Sequence, residues 1–236
     1  TLALLLAAGA VPFVTPAAGQ APVAAPQKMF SPLFAAEIER AKAGVDASIR
    51  AGIHVPVPKD PGGGVTHEQH KRNYRTIFEG GQLYRLTGDV RYRDHVRDLL
   101  LAYADLYPKL GPHPAAANQV PGRLFWQSLN DSVFLVNAAQ GYGAIRDALS
   151  PADRARIDDN VIRPMARFLS DGSPEVINRI HNHATWAAAG VGLSGYLLGD
   201  RDLVDKALLG LDKSGKAGFL RQLDLLFSPD GYYAEG

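Results

Sequence analysis

The sequence predicts an all-α protein built from helical hairpins. Apolar residues recur at helical spacing along most of the 236 residues, one type of turn is used twice between helices, and strand-like alternation is rare. Repeated hairpins are typical of an α-solenoid that binds a partner or of an α/α toroid. Because no strict repeat of about 34 or 40 residues is visible, we favour the toroid.

The composition indicates a soluble globular protein without a strong overall charge. Hydrophobic residues make up 46% of the chain, and 25 Lys and Arg nearly balance 24 Asp and Glu. This balance does not favour nucleic acid or an anionic membrane as a partner. The absence of cysteine excludes disulfides, thiol catalysis and thiolate metal sites.

The first 27 residues read as an export signal followed by a spacer. An apolar run from Leu2 to Val14 precedes small residues and a Pro/Ala-rich stretch. The run is shorter than the ~20 residues of a spanning helix, although a short membrane anchor is the alternative. We expect a periplasmic or secreted protein that has no membrane contact after signal removal.

Residues 28–236 are assigned to one helical domain. The sequence ends at Gly236 directly after turn-like residues, which is an unusual place for a domain to finish. We therefore expect a truncated domain.

Residues 91–108 carry the strongest helical pattern, with Val96, Leu99 and Tyr103 on one face and Pro108 as the stop. Further helices are predicted at 128–149 and 186–199. Residues 53–58 alternate in hydrophobicity but contain two prolines, which predicts an extended loop.

A helix is also predicted over residues 150–170. Ser150 is placed as its N-cap, Pro151 at its first position and Asp153 in a capping-box position. Pro164 predicts a kink. One face of this helix carries Ile157, Val161, Met165 and Phe168.

Two turns share one pattern, in which a helix ends at glycine and the next begins behind aspartate. They are Gly88-Asp89 and Gly199-Asp200. Glycine adopts the left-handed C-cap conformation at low cost, and aspartate is favourable at a helix N-terminus. The pattern predicts two αα-hairpins.

One polar cluster lies at the opening of a predicted helix, and a second lies in a loop that leads into one. His67 and His70 are three residues apart and share a helix face, but no third ligand at conventional spacing supports a metal site. Asn118 and Gln119 lie in a Pro-bounded loop, where capping alone also explains their presence.

The third cluster is Asn178-Arg-Ile-His-Asn-His-Ala-Thr-Trp186. His181 and His183 could share one side of an extended segment and bind zinc, or could cap a helix. Asn182 and His183 are adjacent donors near a helix N-terminus, which also favours a carboxylate ligand.

Five blocks in order carry a family resemblance. They are PVPKDPGGGVTHEQHKRNY, GRLFWQSLND, RPMARFLS, IHNHATW and SGKAGFLRQLDLLFSPDGYYAEG. The chain from about Lys28 onward resembles the family 17 polysaccharide lyases, which are oligoalginate lyases within the wider alginate lyase and heparinase II/III-like group. The resemblance implies an N-terminal α/α toroid, here incomplete, and a C-terminal antiparallel β-sandwich that has no counterpart in these residues.

The resemblance also implies a function. Such enzymes cleave alginate or its oligosaccharides by β-elimination, and exolytic action is the family expectation. The Asn-His pair that neutralises the uronate carboxylate falls on Asn182 and His183, while Asn118, Gln119 and His67 resemble residues around the substrate. The tyrosines that move the proton are expected beyond Gly236, so Tyr232 and Tyr233 are not assigned to that role. Ala184 stands where the family pattern has glycine.

The expected partner is thus an anionic polysaccharide, and no metal or cofactor is expected in this segment. A homodimer is a candidate assembly. The alternatives are a lyase for another uronate polymer, such as heparin or heparan sulfate, and a non-catalytic periplasmic helical binding module. A glycosidase would require a pair of carboxylic acids, whereas Glu175 and Glu235 each stand alone.

Overall fold

The computed structural model describes residues 32–118 and 120–234, and helices account for most of them. The described residues contain no β-strand, and their one isolated bridge joins Phe227 and Tyr233. The all-α prediction is therefore confirmed. The helices are α1 Pro32–Ala51, α2 Val65–Thr87, α3 Val90–Leu106, α4 Ser128–Ile145, α5 Pro151–Ile157, α6 Arg163–Leu169, α7 Pro174–Ile177, α8 Asn182–Leu198, α9 Arg201–Leu209 and α10 Gly218–Leu226.

Both predicted hairpin turns form as expected. Gly88 and Gly199 end α2 and α8 with φ values of 72° and 65°, in the left-handed region. Asp89 accepts a hydrogen bond from Arg91 N, and Asp200 accepts one from Leu203 N, so each caps the following helix. The predicted extended loop at 53–58 is also free of regular structure.

The predicted helix at 150–170 forms in two parts joined by a π-helical turn. Ser150 caps α5 by accepting from Asp153 N at 3.1 Å, as predicted. The π turn spans Asp158–Ile162, and Pro164 follows it at the start of α6. Since proline has no N–H to donate, the disturbance predicted at Pro164 takes the form of this turn.

Three helices, α2, α4 and α8, pack side by side and run in the same direction. Gly81 of α2 faces Gly141 of α4 so closely that neither position has room for a Cβ. Farther toward the N-termini, the Tyr74 and Phe134 rings meet edge to face at 6.3 Å. Leu135 approaches Gly190, and Leu197 approaches Gly143, which gives the same direction for α8.

A second layer of helices covers one side of this row. Helix α3 packs on α2 and α4, α6 packs on α4 and α8, and α9 packs on α8. The interface between the layers is a continuous apolar core that includes Tyr103, Phe134, Ile157 and Met165. This two-layer arrangement of hairpins is that of an α/α toroid, and it brings the N-termini of α2, α4 and α8 to one end of the row.

Candidate active site

The start of α8 holds the two residues predicted to be catalytic. His181 is the N-cap, with extended backbone angles of φ −167° and ψ 154°, and Asn182 and His183 are the first two helical residues. His181 Nδ1 accepts a hydrogen bond from His183 N at 3.2 Å. Because Nδ1 is the acceptor, the neutral ring carries its proton on Nε2.

Asn182 and His183 lie at the surface of the domain rather than in its interior. Both are half-buried, as is His181. The two imidazole rings meet edge to face, with centroids 4.7 Å apart and planes at 88°. Asn182 and His183 are therefore partly accessible to solvent and lie at the positive end of the dipole of a 17-residue helix.

A polar contact from α10 supports this helix start. The Thr185 hydroxyl lies 3.4 Å from the carbonyl oxygen of His181 and also hydrogen-bonds the amide oxygen of Gln222. Gln222 is only 1% exposed and Thr185 is half-buried, so the contact is partly buried between α8 and α10. Sequence reasoning missed Gln222 because nothing in the chain pattern connects it to a segment 37 residues earlier.

Trp186 is a second feature that the sequence predictions did not single out. It lies one helical turn after Asn182 and is 41% exposed, although tryptophan is usually well buried. An exposed aromatic ring near polar donors is a suitable surface for the apolar face of a sugar. The sequence feature that could have identified Trp186 is its position at the end of the IHNHATW block.

His67, the predicted substrate-contacting residue of α2, lies in a buried histidine cluster. Its exposure is 6%, and its ring meets Phe125 edge to face at 5.1 Å. His70 is fully buried, and its Nδ1 is 2.8 Å from the Tyr103 hydroxyl. His113, from the loop before α4, is 4% exposed. Contact between His67 and substrate remains a prediction.

Burial lowers the pKa values of all three histidines. The effect is largest for His70, whose pKa falls to about 3 through burial and the nearby histidines His67, His113 and His54. The pKa values of His67 and His113 are lowered mainly by burial as well. The cluster is therefore neutral at physiological pH.

The loop that carries Asn118 is fixed at its C-terminal side by Asp131 of α4. The fully buried Asp131 carboxylate accepts from the backbone N–H groups of Arg123, Leu124 and Phe125 at 2.8, 3.3 and 2.8 Å. Burial raises the pKa of Asp131 to about 7 against these hydrogen bonds, which lower it. Asn118 is exposed, and Gln119 lies outside the described residues.

The structure thus brings the predicted residues to one end of the molecule on three elements. Asn182 and His183 begin α8, His67 lies in the first turns of α2, and Asn118 is in the loop that leads to α4. Helix α4 separates the α2 residue from the α8 pair.

Within 32–118 and 120–234, no group of three or more His, Asp or Glu side chains is arranged to hold a metal ion. Among the same residues, no helix is both long and apolar enough to cross a membrane.

Most of this chain is similar in sequence to known proteins. The family model described as alginate lyase matches residues 39–234. A protein named alginate lyase from Stenotrophomonas maltophilia is 61% identical over 205 residues, and one named exo-oligoalginate lyase from Saccharophagus degradans is 57% identical over 203. These alignments cover 87% and 86% of this chain but 28% of each relative. The chain therefore belongs to the alginate lyase family.

Proposed function

We propose that the protein containing this chain cleaves alginate or alginate oligosaccharides by β-elimination, and that Asn182 and His183 bind the uronate carboxylate during the reaction. The observation that carries the proposal is the placement of an amide and an imidazole, adjacent in the chain and half-buried at the surface, in the first turn of α8. The names of the two relatives give the substrate class.

The chemistry explains why two donors are required. β-Elimination removes the proton on C5 of the uronate and expels the oxygen on C4, so negative charge develops on a carbon that already bears a carboxylate. Donors placed on that carboxylate stabilise the developing enolate, and the N-terminus of α8 favours the same charge. Removing one such donor typically costs about 2.7–4 kcal/mol in the barrier.

Other residues are assigned to substrate positioning. Trp186 provides an exposed ring next to the catalytic pair, and Asn118, Gln119 and His67 lie on the segments expected to flank the sugar. We assign proton transfer to the tyrosines that the family resemblance implies outside these 236 residues. Tyr232, which is 71% exposed, and Tyr233, whose ring is tilted against Phe227 at 5.1 Å, precede the expected tyrosine motif and are not assigned a chemical role.

Exolytic action and export complete the proposal. The exolytic mode is supported by the name of the Saccharophagus relative, and it predicts unsaturated monomers as the first products. Export to the periplasm or outside the cell is supported by the apolar run at residues 2–14. The location is tested by cell fractionation with an antibody to the native-length protein, which is the complete protein that contains this chain. Detection in the cytoplasmic fraction alone would reject export.

The test of activity is the ultraviolet absorbance of the unsaturated uronate product. The native-length protein is incubated with polymannuronate, polyguluronate and heparin in parallel. Absorbance should rise with one or both alginate polymers and stay flat with heparin. A flat trace on all three would reject a lyase, and a rise with heparin alone would favour a glycosaminoglycan lyase.

A further inference from the structure

A groove between α1 and the first half of α2 is separate from the catalytic pair. Its volume is about 600 Å³, within the range of roughly 300–1,000 Å³ that is usual for small-molecule sites. Gly44, Ala47 and Ser48 form the α1 side, where short side chains leave the space open. Arg72 and Arg75 project from the α2 side.

The groove carries positive charge that the protein does not neutralise. Arg72 and Arg75 are exposed, lie three residues apart on one helix face, and form no ion pair with any described residue. Glu79 is the one carboxylate among the residues that line the groove, and it is paired with Arg40 at 3.3 Å. The middle of the groove is therefore suited to an anion.

A chain of hydrogen bonds links the exposed Arg72 to the buried Asn73. Asn73 is 3% exposed, and its Nδ2 donates to the Tyr103 hydroxyl and to the carbonyl oxygen of His54, both at 2.9 Å. Its Oδ1 accepts from Gln69 Nε2 at 2.9 Å. Gln69 Oε1 in turn accepts from Arg72 Nη2 at 2.7 Å and Nε at 3.3 Å.

This chain of contacts has two effects on the groove. It joins the loop at His54 to α2, which fixes the end of the groove, and it limits the motion of the Arg72 side chain before any ligand arrives. A fixed guanidinium loses less conformational entropy on binding than a free one. Arg72 still has N–H groups that Gln69 does not use.

We propose that this groove is a second saccharide site, in which Arg72 and Arg75 bind the carboxylates of uronate units. Arginine binds a carboxylate in a planar, two-point geometry, which suits a repeating acidic sugar. The choice of uronate as the ligand rests on the proposed function. The groove lies on α2 and the catalytic pair on α8, with α4 between them, so the two sites are separated by roughly 16–20 Å across the helix row.

This separation predicts a dependence on chain length. A long oligomer that reaches both sites gains affinity from the second contact, whereas a short one occupies a single site. The contribution of the groove is also electrostatic, so it should weaken as salt is raised.

The test is direct binding of mannuronate oligomers, measured by titration calorimetry on the native-length Asn182→Ala protein so that substrate is not consumed. Arg72→Gln/Arg75→Gln should weaken binding of a long oligomer about tenfold or more. The matched control is Arg85→Gln/Lys109→Gln, which removes two unpaired positive charges outside the groove and should leave binding within about twofold of the parent.

The outcomes separate this proposal from the proposed function. Equal affinity of the parent and the Arg72→Gln/Arg75→Gln protein, or equal loss in the control, would overturn the groove site even if the unmodified enzyme makes unsaturated product. A selective loss would support the groove even if no product forms. A dextran sulfate oligomer, which carries negative charge but no uronate, would overturn the uronate assignment in favour of anions in general if it bound the groove as tightly as the mannuronate oligomer.

Discussion

Two histidine-containing segments near the same end of the molecule have opposite surroundings. His67 and His70 lie inside α2, on the face that packs against Phe125 and Tyr103, and they are almost fully buried. His181 and His183 lie at the cap and second residue of α8 and are half-buried. The α2 segment contributes the fully buried His70 to the core, and the α8 segment is the one proposed to present donors to a ligand.

The difference follows from position relative to the helix start. On α2 the buried residues Thr66, His70, Asn73 and Ile77 continue one stripe at spacings of three and four, so the histidines replace apolar residues in a core pattern. On α8 the histidines precede the apolar stripe, where backbone N–H groups have no helical partner. A fully buried histidine within such a stripe, such as His70, is therefore expected to be structural, and one that precedes the stripe is a better candidate for function.

The largest expected effect is on catalysis at the α8 segment. Asn182→Ala removes a donor to the uronate carboxylate, which should raise the barrier by about 2.7–4 kcal/mol and reduce kcat by roughly 10²–10³-fold. The rate of unsaturated product formation by the native-length protein measures it. Asn178→Ala, four residues upstream and outside α8, is the control; it removes only the exposed acceptor of Leu211 N and should retain activity. Unchanged turnover of Asn182→Ala in a folded protein would remove this residue from the mechanism.

The matching change in the α2 segment should affect stability and leave chemistry intact. His70→Ala deletes the contact with the Tyr103 hydroxyl and leaves a cavity in a fully buried site, at a cost of about 2–4 kcal/mol. Amide hydrogen exchange of α2 in the native-length protein measures the loss.

His54→Ala serves as the control for this change. The His54 side chain is exposed, and only its backbone carbonyl accepts from Asn73, so exchange in α2 should not change. If His70→Ala instead lowered kcat at a temperature where α2 remains protected, the division between a structural and a functional segment would be wrong.

The buried cluster should also make α2 sensitive to acid. The pKa of His70 is about 3 in the folded state, below the unfolded value of about 6.5, so the unfolded state binds more protons between these values. Stability is then fully present above about pH 6.5 and falls with pH by up to about 1.4 kcal/mol per unit for this residue. The lowered pKa values of His67 and His113 act in the same direction.

Hydrogen exchange between pH 7 and pH 5, corrected for the intrinsic rate, measures this slope. Helix α2 should lose protection over this range, and His70→Gln, which has no titratable ring, should reduce the loss. Helix α9 contains no histidine and is the internal reference. Equal slopes in α2 and α9 would show that acid acts globally and not through the cluster.

Much of the fold could be predicted from the sequence because its signals are local. The Gly-Asp turns, the Ser150 cap and the amphipathic face of α3 each depend on a few neighbouring residues, and all are present. The form of the disturbance at Pro164 was not predictable, because a kink and a π turn both relieve the missing N–H.

The candidate site was predicted less completely. The Asn182-His183 pair was found from a short motif and a family resemblance, but its support by Gln222 of α10 depends on packing between distant segments. The burial of His67 also required the structure, since Phe125 lies 58 residues away in the chain and covers it only after α2 and α4 pack. The hydrogen bonds that Asp131 accepts from the backbone of residues 123–125 were not predicted, for the same reason.

The smallest expected effect separates the cap of α8 from the proposed catalytic pair. His181→Ala removes the acceptor for His183 N, which should cost about 1 kcal/mol of local stability and reduce kcat roughly fivefold, because the first turn frays. His181→Asn restores a side-chain oxygen that favours the N-cap position, and it should recover both kcat and the protection of the amides at 183–186. If Asn proved as poor as Ala, the edge-to-face contact of the two rings at 4.7 Å, and not the cap, would be the means by which His181 orients His183.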